Sequence, residues 1–416
     1  MTATDVWSLP GPARLVERVR TELIVGKQVV LVLPTSGVAD GVVAALARML
    51  SELRQIEVLR FGEEEHARAD SLLYDLLSRN RVPLPEDGSP PSARHLLTDF
   101  YRSSGLTLIV DLTKAHPDDL GKWGRNLARH AAHMKSLRDS ERVGLIVACR
   151  ADQLDLVPSE DVNVTRHWWW GILGRLDVLL WSLDRRPEGP DGEVTANAIV
   201  ELGAFDLKLT DHLLAVWDGD LGTAHETLRV YGRTSGIMDG PEGLREHTVL
   251  DSGRTTPRGE VPRPLRSAWN AGLVQLWEGA VSWHRSALAE LAPARPDADR
   301  ELKRLVWRAQ VATLLPNVEF ARHAIARSVA EERDQLREDS KFRATCRSSK
   351  DVEMLEYTDL RDYLRDLRGN ARRPDLEQVL DRLRFFRNRL AHVDPLRANR
   401  VRELISVIEK ARAAAR

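Results

Sequence analysis

The sequence predicts an α/β domain built on a parallel sheet, followed by an all-α helical bundle. In the N-terminal part, short runs of apolar and β-branched residues alternate with stretches of helical periodicity, which is the pattern of βαβ units. Residues 232–263 are rich in glycine and proline and predict a linker or long loop. After residue 264 only helical periodicity remains, so a bundle is expected there.

Four apolar runs predict the strands of the sheet. Continuous apolar sequence is typical of a strand that is buried on both faces of a parallel sheet. The runs are residues 29–33, 56–61, 106–110 and 143–149. Right-handed crossovers should connect them.

The predicted domain organisation has four segments. They are an α/β domain at 1–184, a small helical subdomain at 185–231, the linker at 232–263 and the helical bundle at 264–416. Within the first segment, residues 167–183 show helical spacing and contain three adjacent tryptophans, Trp168, Trp169 and Trp170. Three adjacent side chains cannot all face one core, so at least one is expected at an interface.

The C-terminal segment contains several amphipathic helical patterns. One apolar face is predicted from Trp269 to His284, and another helix from Pro374 to about His392. Proline fits the first turn of that second helix. Pro316, inside a further helical pattern, predicts a kink or a break.

Charge and cysteine content restrict the classes of protein to consider. The formal net charge is −1, but residues 341–416 hold 19 basic and 12 acidic residues, a net charge of +7. A basic C-terminal segment indicates a polyanionic partner, or else solvated helix faces. The two cysteines, Cys149 and Cys346, stand alone, so neither a disulfide framework nor a zinc site is predicted. We expect a cytoplasmic protein without a membrane span or cofactor.

The first predicted strand ends in a glycine-containing loop. The loop begins Pro34-Thr35-Ser36-Gly37 and leads into a helical pattern. This layout resembles the P-loop NTPases of the AAA+ and STAND kinds. The resemblance implies a remnant nucleotide-binding loop that includes Thr35, Ser36 and Gly37.

The residues that hydrolysis requires are replaced. A working P-loop carries a lysine that neutralises phosphates and a hydroxyl that holds magnesium. Val38 and Ala39 occupy those positions. Asp111 follows the third strand, where a magnesium-holding aspartate is expected, but Leu112 comes next instead of glutamate. The sequence therefore predicts the fold without ATP hydrolysis.

A second motif lies at the end of the helix pattern near the C-terminus. Arg387 and His392 are five positions apart, and Asn388 follows the arginine. Pro395 disfavours helix at Asp394, so the histidine should lie in the last helical turn, where the helix dipole favours its charged form by about 0.3–1 kcal/mol. A histidine can transfer protons and an arginine can stabilise a phosphorane.

This motif resembles the Arg-x4–6-His signature of the HEPN superfamily. The resemblance implies a helical bundle that is often dimeric, and a metal-independent ribonuclease with Arg387, Asn388 and His392 as catalytic residues. A structural role is the alternative. In that case Arg387 would pair with Asp359 or Asp362, Asn388 would bind a helix-end carbonyl and His392 would cap the helix.

Two classes of function remain open from the sequence. The first is an RNA-cleaving effector of a bacterial defence or toxin-type system, with a homodimeric nuclease and other defence proteins as partners. The second is a non-catalytic assembly protein or a nucleotide-binding regulator. No metal site is predicted, because His130 and His133 lack a third ligand nearby in the sequence.

Overall fold

The computed structural model describes most of the chain. The described residues are 6–35, 41–51, 56–60, 107–113, parts of 115–132, 145–237, 259–331, 355–366 and 373–414. They form two compact units. Unit 1 comprises Met1–Trp181, Phe205–Lys208 and Gly236–His284, and unit 2 comprises Ser182–Ala204, Leu209–Ser235 and Arg285–Arg416. The division into four segments stays a prediction.

Unit 1 is built on a five-stranded parallel sheet. The strands are β1 (Gln28–Leu33), β2 (Ile56–Arg60), β3 (Thr107–Asp111), β4 (Leu145–Arg150) and β5 (Val164–Trp168). Their order is β2-β3-β4-β1-β5, and each neighbouring pair is parallel. Every residue of β1 is buried, as continuous apolar sequence predicts for an inner strand. The predicted fold class is confirmed, together with the first four strands.

Two helices flank the first strand. Helix α1 (Pro10–Ile24) begins with proline in its first turn and buries Leu15, Val16, Val19 and Leu23, which recur with helical spacing. Helix α2 (Val42–Leu50) begins after Gly41, whose φ of 86° is in the left-handed region that glycine adopts without steric cost. Thr35, the last described residue after β1, lies at the carboxyl edge of the sheet.

The helical prediction for residues 167–183 holds only for the second half of that range. Residues 164–168 form β5, and helix α3 (Arg175–Ser182) begins only later. The three tryptophans are all buried; Trp168 packs against Trp269 and Trp169 against Trp7, with ring centroids 5.5 and 5.7 Å apart. None of the three is exposed in the described structure, which gives no support to the expectation that one of them lies at an interface.

The expected helix from Trp269 to His284 is mainly a hairpin. After the short helix α7 (Arg266–Asn270), β6 (Val274–Trp277) pairs with β7 (Ala280–Trp283) in antiparallel orientation. Glu278 and Gly279 form the two-residue connection with φ angles of 50° and 83°, as the mirror-image hairpin turns require.

Unit 2 is helical. Its helices, numbered along the chain with those above, are α4 (Gly192–Gly203), α5 (Leu207–Val216, which begins in unit 1), α6 (Leu221–Thr234), α8 (Arg285–Leu291), α9 (Pro296–Glu331), α10 (Tyr357–Asp366), α11 (Pro374–Ala391) and α12 (Ala398–Ala414). The core joins apolar side chains of α9 to α12, including Ile325, Leu360, Leu383, Phe386 and Leu404. Pro316 lies inside α9, so the helix does not break there.

Candidate functional site

Two of the predicted nucleotide-binding residues lie at the carboxyl edge of the sheet. Thr35 follows β1, is exposed, and donates its backbone N–H to the Asn270 carbonyl at 3.1 Å. Asp111 is the last residue of β3. Since β4 lies between β1 and β3, those two strands run about 10 Å apart. Ser36 and Gly37, with Val38 and Ala39, lie outside the described residues.

Asp111 is held by its own turn. Its Oδ1 accepts hydrogen bonds from the backbone N–H of Thr113 at 3.1 Å and from the Thr113 hydroxyl at 2.6 Å. Two donors on one oxygen orient the carboxylate locally. A magnesium ion would have to compete with these hydrogen bonds or use the other oxygen.

The same edge carries an arginine that sequence reasoning missed. Arg150 ends β4 opposite Leu33 of β1. Its Nε is 3.3 Å from Oδ1 of Asp152, and its backbone N–H donates to Gln153 at 2.9 Å. The arginine therefore supplies positive charge beside the end of β1, partly balanced by Asp152. No motif around this position signals it.

A buried acid–histidine pair was also missed. His284 Nε2 lies 3.1 Å from Asp206 Oδ2, and both residues are almost fully buried. They line a cavity of about 30 Å³ together with Pro34 and Trp169, which is room for about one water molecule. The two residues are far apart in the sequence, so no spacing pattern links them.

The C-terminal motif lies at the end of α11. Arg387 is half-buried, while Asn388 and His392 are exposed. The helix ends at Ala391, and the backbone N–H of His392 closes its last turn by donating to the carbonyls of Asn388 and Arg389 at 3.2 and 3.1 Å. The structure thus brings the three residues together within two turns of one helix.

The structural alternative for Arg387 finds no support among the described residues. No ion pair joins Arg387 to Asp359 or Asp362 there, and Asp362 pairs with Arg361 at 2.8 Å. Burial and Glu319 raise the pKa of Tyr357, and the charge of Arg387 opposes that shift. Arg387 therefore lies near Tyr357.

Five exposed residues lie on or just after the end of this helix. We call Phe385, Asn388, Arg389, His392 and Val393 the α11 face. Phe385 and Val393 are 48% and 51% exposed, and the Arg389 guanidinium lies 5.9 Å from the Phe385 ring centroid. Arg389 also pairs with Asp394. Two exposed apolar side chains beside a histidine and an asparagine make this face suitable for a partner.

Two further sequence expectations concern metal and membrane. Among the described residues, no group of three or more histidine, cysteine or acidic side chains is placed to hold a metal ion. His130 and His133 lie outside those residues. No helix in the described part of the chain has the length and apolar character needed to cross a bilayer.

Comparison with known proteins gives a weak result. No protein family and no curated protein matches the sequence. Among solved structures, the Aeropyrum pernix ORC2 protein (ADPNP–ADP complexes) matches with a TM-score of 0.28 and 12% identity, over 72% of this chain and 94% of that one. The Pyrococcus horikoshii STAND protein PH0952, which has a tetratricopeptide repeat sensor, matches with a TM-score of 0.30 and 14% identity. The match covers 95% of this chain and 58% of that one.

Drosophila ORC bound to poly(dA/dT) DNA and Cdc6 gives a TM-score of 0.31 and 12% identity, over 95% of this chain and 68% of the matched chain. Scores at this level support no conclusion by themselves. The sheet decides the fold class instead, because all five strands are parallel, with β1 between β4 and β5, and a loop leads from β1 into α2. Unit 1 is an α/β domain built on a parallel sheet.

Proposed function

We propose that the chain is a nucleotide-binding assembly protein or regulator that does not hydrolyse ATP. The parallel sheet with β1 between β4 and β5 carries this proposal, because ligands of open parallel sheets bind outside the carboxyl ends of the strands. The β1–α2 loop follows the carboxyl end of β1 in the chain, and no side chain caps the start of α2. Free N–H groups at a helix N-terminus favour a phosphate.

The missing hydrolytic residues argue for binding without turnover. Val38 and Ala39 supply neither the cation nor the hydroxyl that a P-loop uses. Asp111 already accepts two hydrogen bonds from Thr113. Backbone N–H groups can hold phosphates in this arrangement, but nothing at these positions stabilises the charge that develops during phosphoryl transfer. Nucleotide binding and phosphate release, measured on the same sample, test this proposal.

A second candidate function is metal-independent cleavage of RNA by the α11 motif. It is favoured by one observation: Asn388 and His392 are exposed beside Arg387, which has no ion-pair partner among the described residues. An arginine without a carboxylate partner is free to bind a phosphate, which is the role that the HEPN resemblance implies.

The chemistry of cleavage would be divided among the three residues. His392 would transfer the proton of the 2′-hydroxyl or of the leaving oxygen. Arg387 would stabilise the phosphorane, and Asn388 would orient the phosphate by hydrogen bonding. Cleavage needs both an acid and a base, so a second copy of α11 would supply the other histidine. Incubation of the purified protein with total RNA, with and without EDTA, tests this function.

The partners follow from these two functions. Cleavage requires RNA, and a composite site requires at least a homodimer. A role in bacterial defence or as a toxin, with other defence proteins as partners and the cytoplasm as location, rests on the HEPN resemblance.

A further inference from the structure

A concave cleft in unit 1 lies outside both sites discussed so far. Its volume is about 280 Å³, and it is lined by residues of α1 and β5 and by the residues after β5. The lining includes Arg14, Arg18, Arg166, His167, Trp168 and Trp170. Neither the β1–α2 loop nor the α11 face contributes a residue.

Three arginines line this cleft, and acids act on it from outside the lining: Glu22 and Glu160 act on His167, and Asp177 accepts the Gly11 N–H. Arg14 and Arg18 lie one turn apart on α1 and are exposed, and Arg166 is half-buried on β5. Among the described residues, no acidic side chain lines the cleft. The neighbouring acids of α1 are already engaged: Glu17 pairs with Arg20 at 3.5 Å, and Glu22 with Lys27 at 2.7 Å.

In the part of the chain that the structure describes, the three arginines of the cleft lack the ion-pair partners that many other arginines have. Among the described residues, none of them forms an ion pair, although Arg166 donates from its Nη2 to the Pro158 carbonyl at 3.2 Å. Three arginines that converge on a cleft without a carboxylate repel one another. A bound anion removes that repulsion, and phosphate matches the planar guanidinium through paired hydrogen bonds.

Within the described part of the chain, three residues that line the cleft also have buried side-chain nitrogen atoms without a hydrogen-bond partner. These are Arg166 Nε, His167 Nε2 and Trp170 Nε1. Because these atoms are closed to solvent, a ligand in the cleft would contact the accessible ends of the arginines instead. Burial lowers the pKa of His167. The positive charges of Arg18 and Lys27 lower that pKa further, whereas the negative charges of Glu22 and Glu160 raise it. An anion beside the ring would reverse this shift.

The walls of the cleft are fixed in place. The Gly11 N–H donates to Asp177 Oδ1 at 2.8 Å, and the Gly174 N–H to Oδ2 at 2.7 Å. A Cβ at Gly11 would lie 1.9 Å from the Ile172 carbonyl oxygen, so only glycine allows this close approach. A pocket held in this way loses little conformational entropy when a ligand binds.

We propose that this cleft binds a small phosphate-bearing ligand through Arg14, Arg18 and Arg166. The size favours a small molecule over a nucleic acid, because pockets of about 300 Å³ and above enclose small ligands. Single-stranded nucleic acids also require exposed aromatic rings for stacking, whereas Trp168 and Trp170 are only 4% and 2% exposed. The site does not depend on the function proposed above.

Titration calorimetry of the full-length protein with pyrophosphate tests the proposal. Binding should weaken on the order of tenfold for each arginine removed, so Arg14→Gln with Arg18→Gln should lose about a hundredfold in affinity. Both side chains are exposed, so the fold should be kept, as circular dichroism can verify. Arg20→Gln is the matched control, since Arg20 lies on the same helix, pairs with Glu17 and does not line the cleft.

Pyrophosphate could also bind the β1–α2 loop, so a second variant separates the two sites. Ser36→Asp adds a negative charge to that loop and should leave binding at the cleft unchanged. The proposal is overturned by any of three results: no pyrophosphate binding, equal affinity in the double variant and the wild type, or loss of binding in Ser36→Asp alone. Binding of single-stranded oligonucleotides in preference to pyrophosphate would also overturn it, since that result indicates a nucleic-acid surface.

Discussion

The surroundings of Arg387 distinguish a catalytic role of the motif from a structural one. A structural arginine on a packed helix needs a carboxylate, and its removal leaves that carboxylate unpaired and lowers stability. Arg387 is half-buried and has no ion pair among the described residues. Its truncation is therefore expected to affect chemistry rather than stability.

If the motif cleaves RNA, Arg387→Ala and His392→Ala should each abolish cleavage without lowering the melting temperature. Loss of proton transfer at His392 alone should reduce the rate by about 10²–10⁴-fold. Arg382→Ala is the control on the same helix, because Arg382 is exposed and pairs with Glu403; it should cleave normally. Gel assays of labelled RNA and thermal unfolding measure both effects. Full cleavage by folded His392→Ala protein would contradict the assignment.

Because His167 is partly buried, we expect the stability of the folded protein to fall in acid. Burial lowers its pKa from the ordinary value of 6.5, so the folded state binds the proton less readily than the unfolded state. The stability that depends on neutral His167 is present above about pH 6.5 and is lost as the pH falls below it. His167→Gln should reduce the fall in melting temperature between about pH 7 and pH 5. An unchanged pH dependence in this variant would contradict the prediction.

Sequence spacing finds residues on one element and misses residues brought together by the fold. The motif of Arg387, Asn388 and His392 is visible because one helix carries all three. Arg18 and Arg166 face one cleft although some 150 positions separate them. Only the parallel pairing of β5 with β1, beside α1, brings such distant residues together.

At the scale of the elements, the errors have a common cause. Apolar residues between Trp269 and His284 match helical spacing, but they also alternate across two short strands. The Glu278-Gly279 pair was the overlooked signal, since glycine accepts the positive φ angle of a two-residue turn. Similarly, β5 is followed closely by apolar residues of its loop and of α3, so periodicity could not separate strand from helix.

Two neighbouring phenylalanines test the packing of α11. Phe386 is fully buried in the unit 2 core, whereas Phe385 is 48% exposed. Phe386→Ala should reduce the free energy of unfolding by about 3–5 kcal/mol, because it removes core contacts and leaves a cavity. Phe385→Ala, the same change at the next position, should cost far less. Urea denaturation measures both; equal losses would show that the helix packs by another face.

At the scale of the whole molecule, the α11 face predicts self-association. Its exposed Phe385 and Val393 would be covered in a homodimer, which would also place two copies of His392 near each other. Light scattering should therefore show at least a dimer at micromolar concentration, and Phe385→Asp should shift it towards the monomer by burying a charge at the interface. A wild-type monomer that still cleaves RNA would rule out a composite site.

Nucleotide binding without hydrolysis is the central claim, and one measurement tests it directly. Equilibrium dialysis of the full-length protein with labelled ATP and magnesium gives the bound fraction, and analysis of the same sample gives the phosphate released. We predict saturable binding that Ser36→Asp weakens, with phosphate release at the level of a protein-free control, because Val38 and Ala39 stand at the lysine and hydroxyl positions. Steady phosphate release that Asp111→Ala abolishes would contradict the claim, as would the absence of any binding.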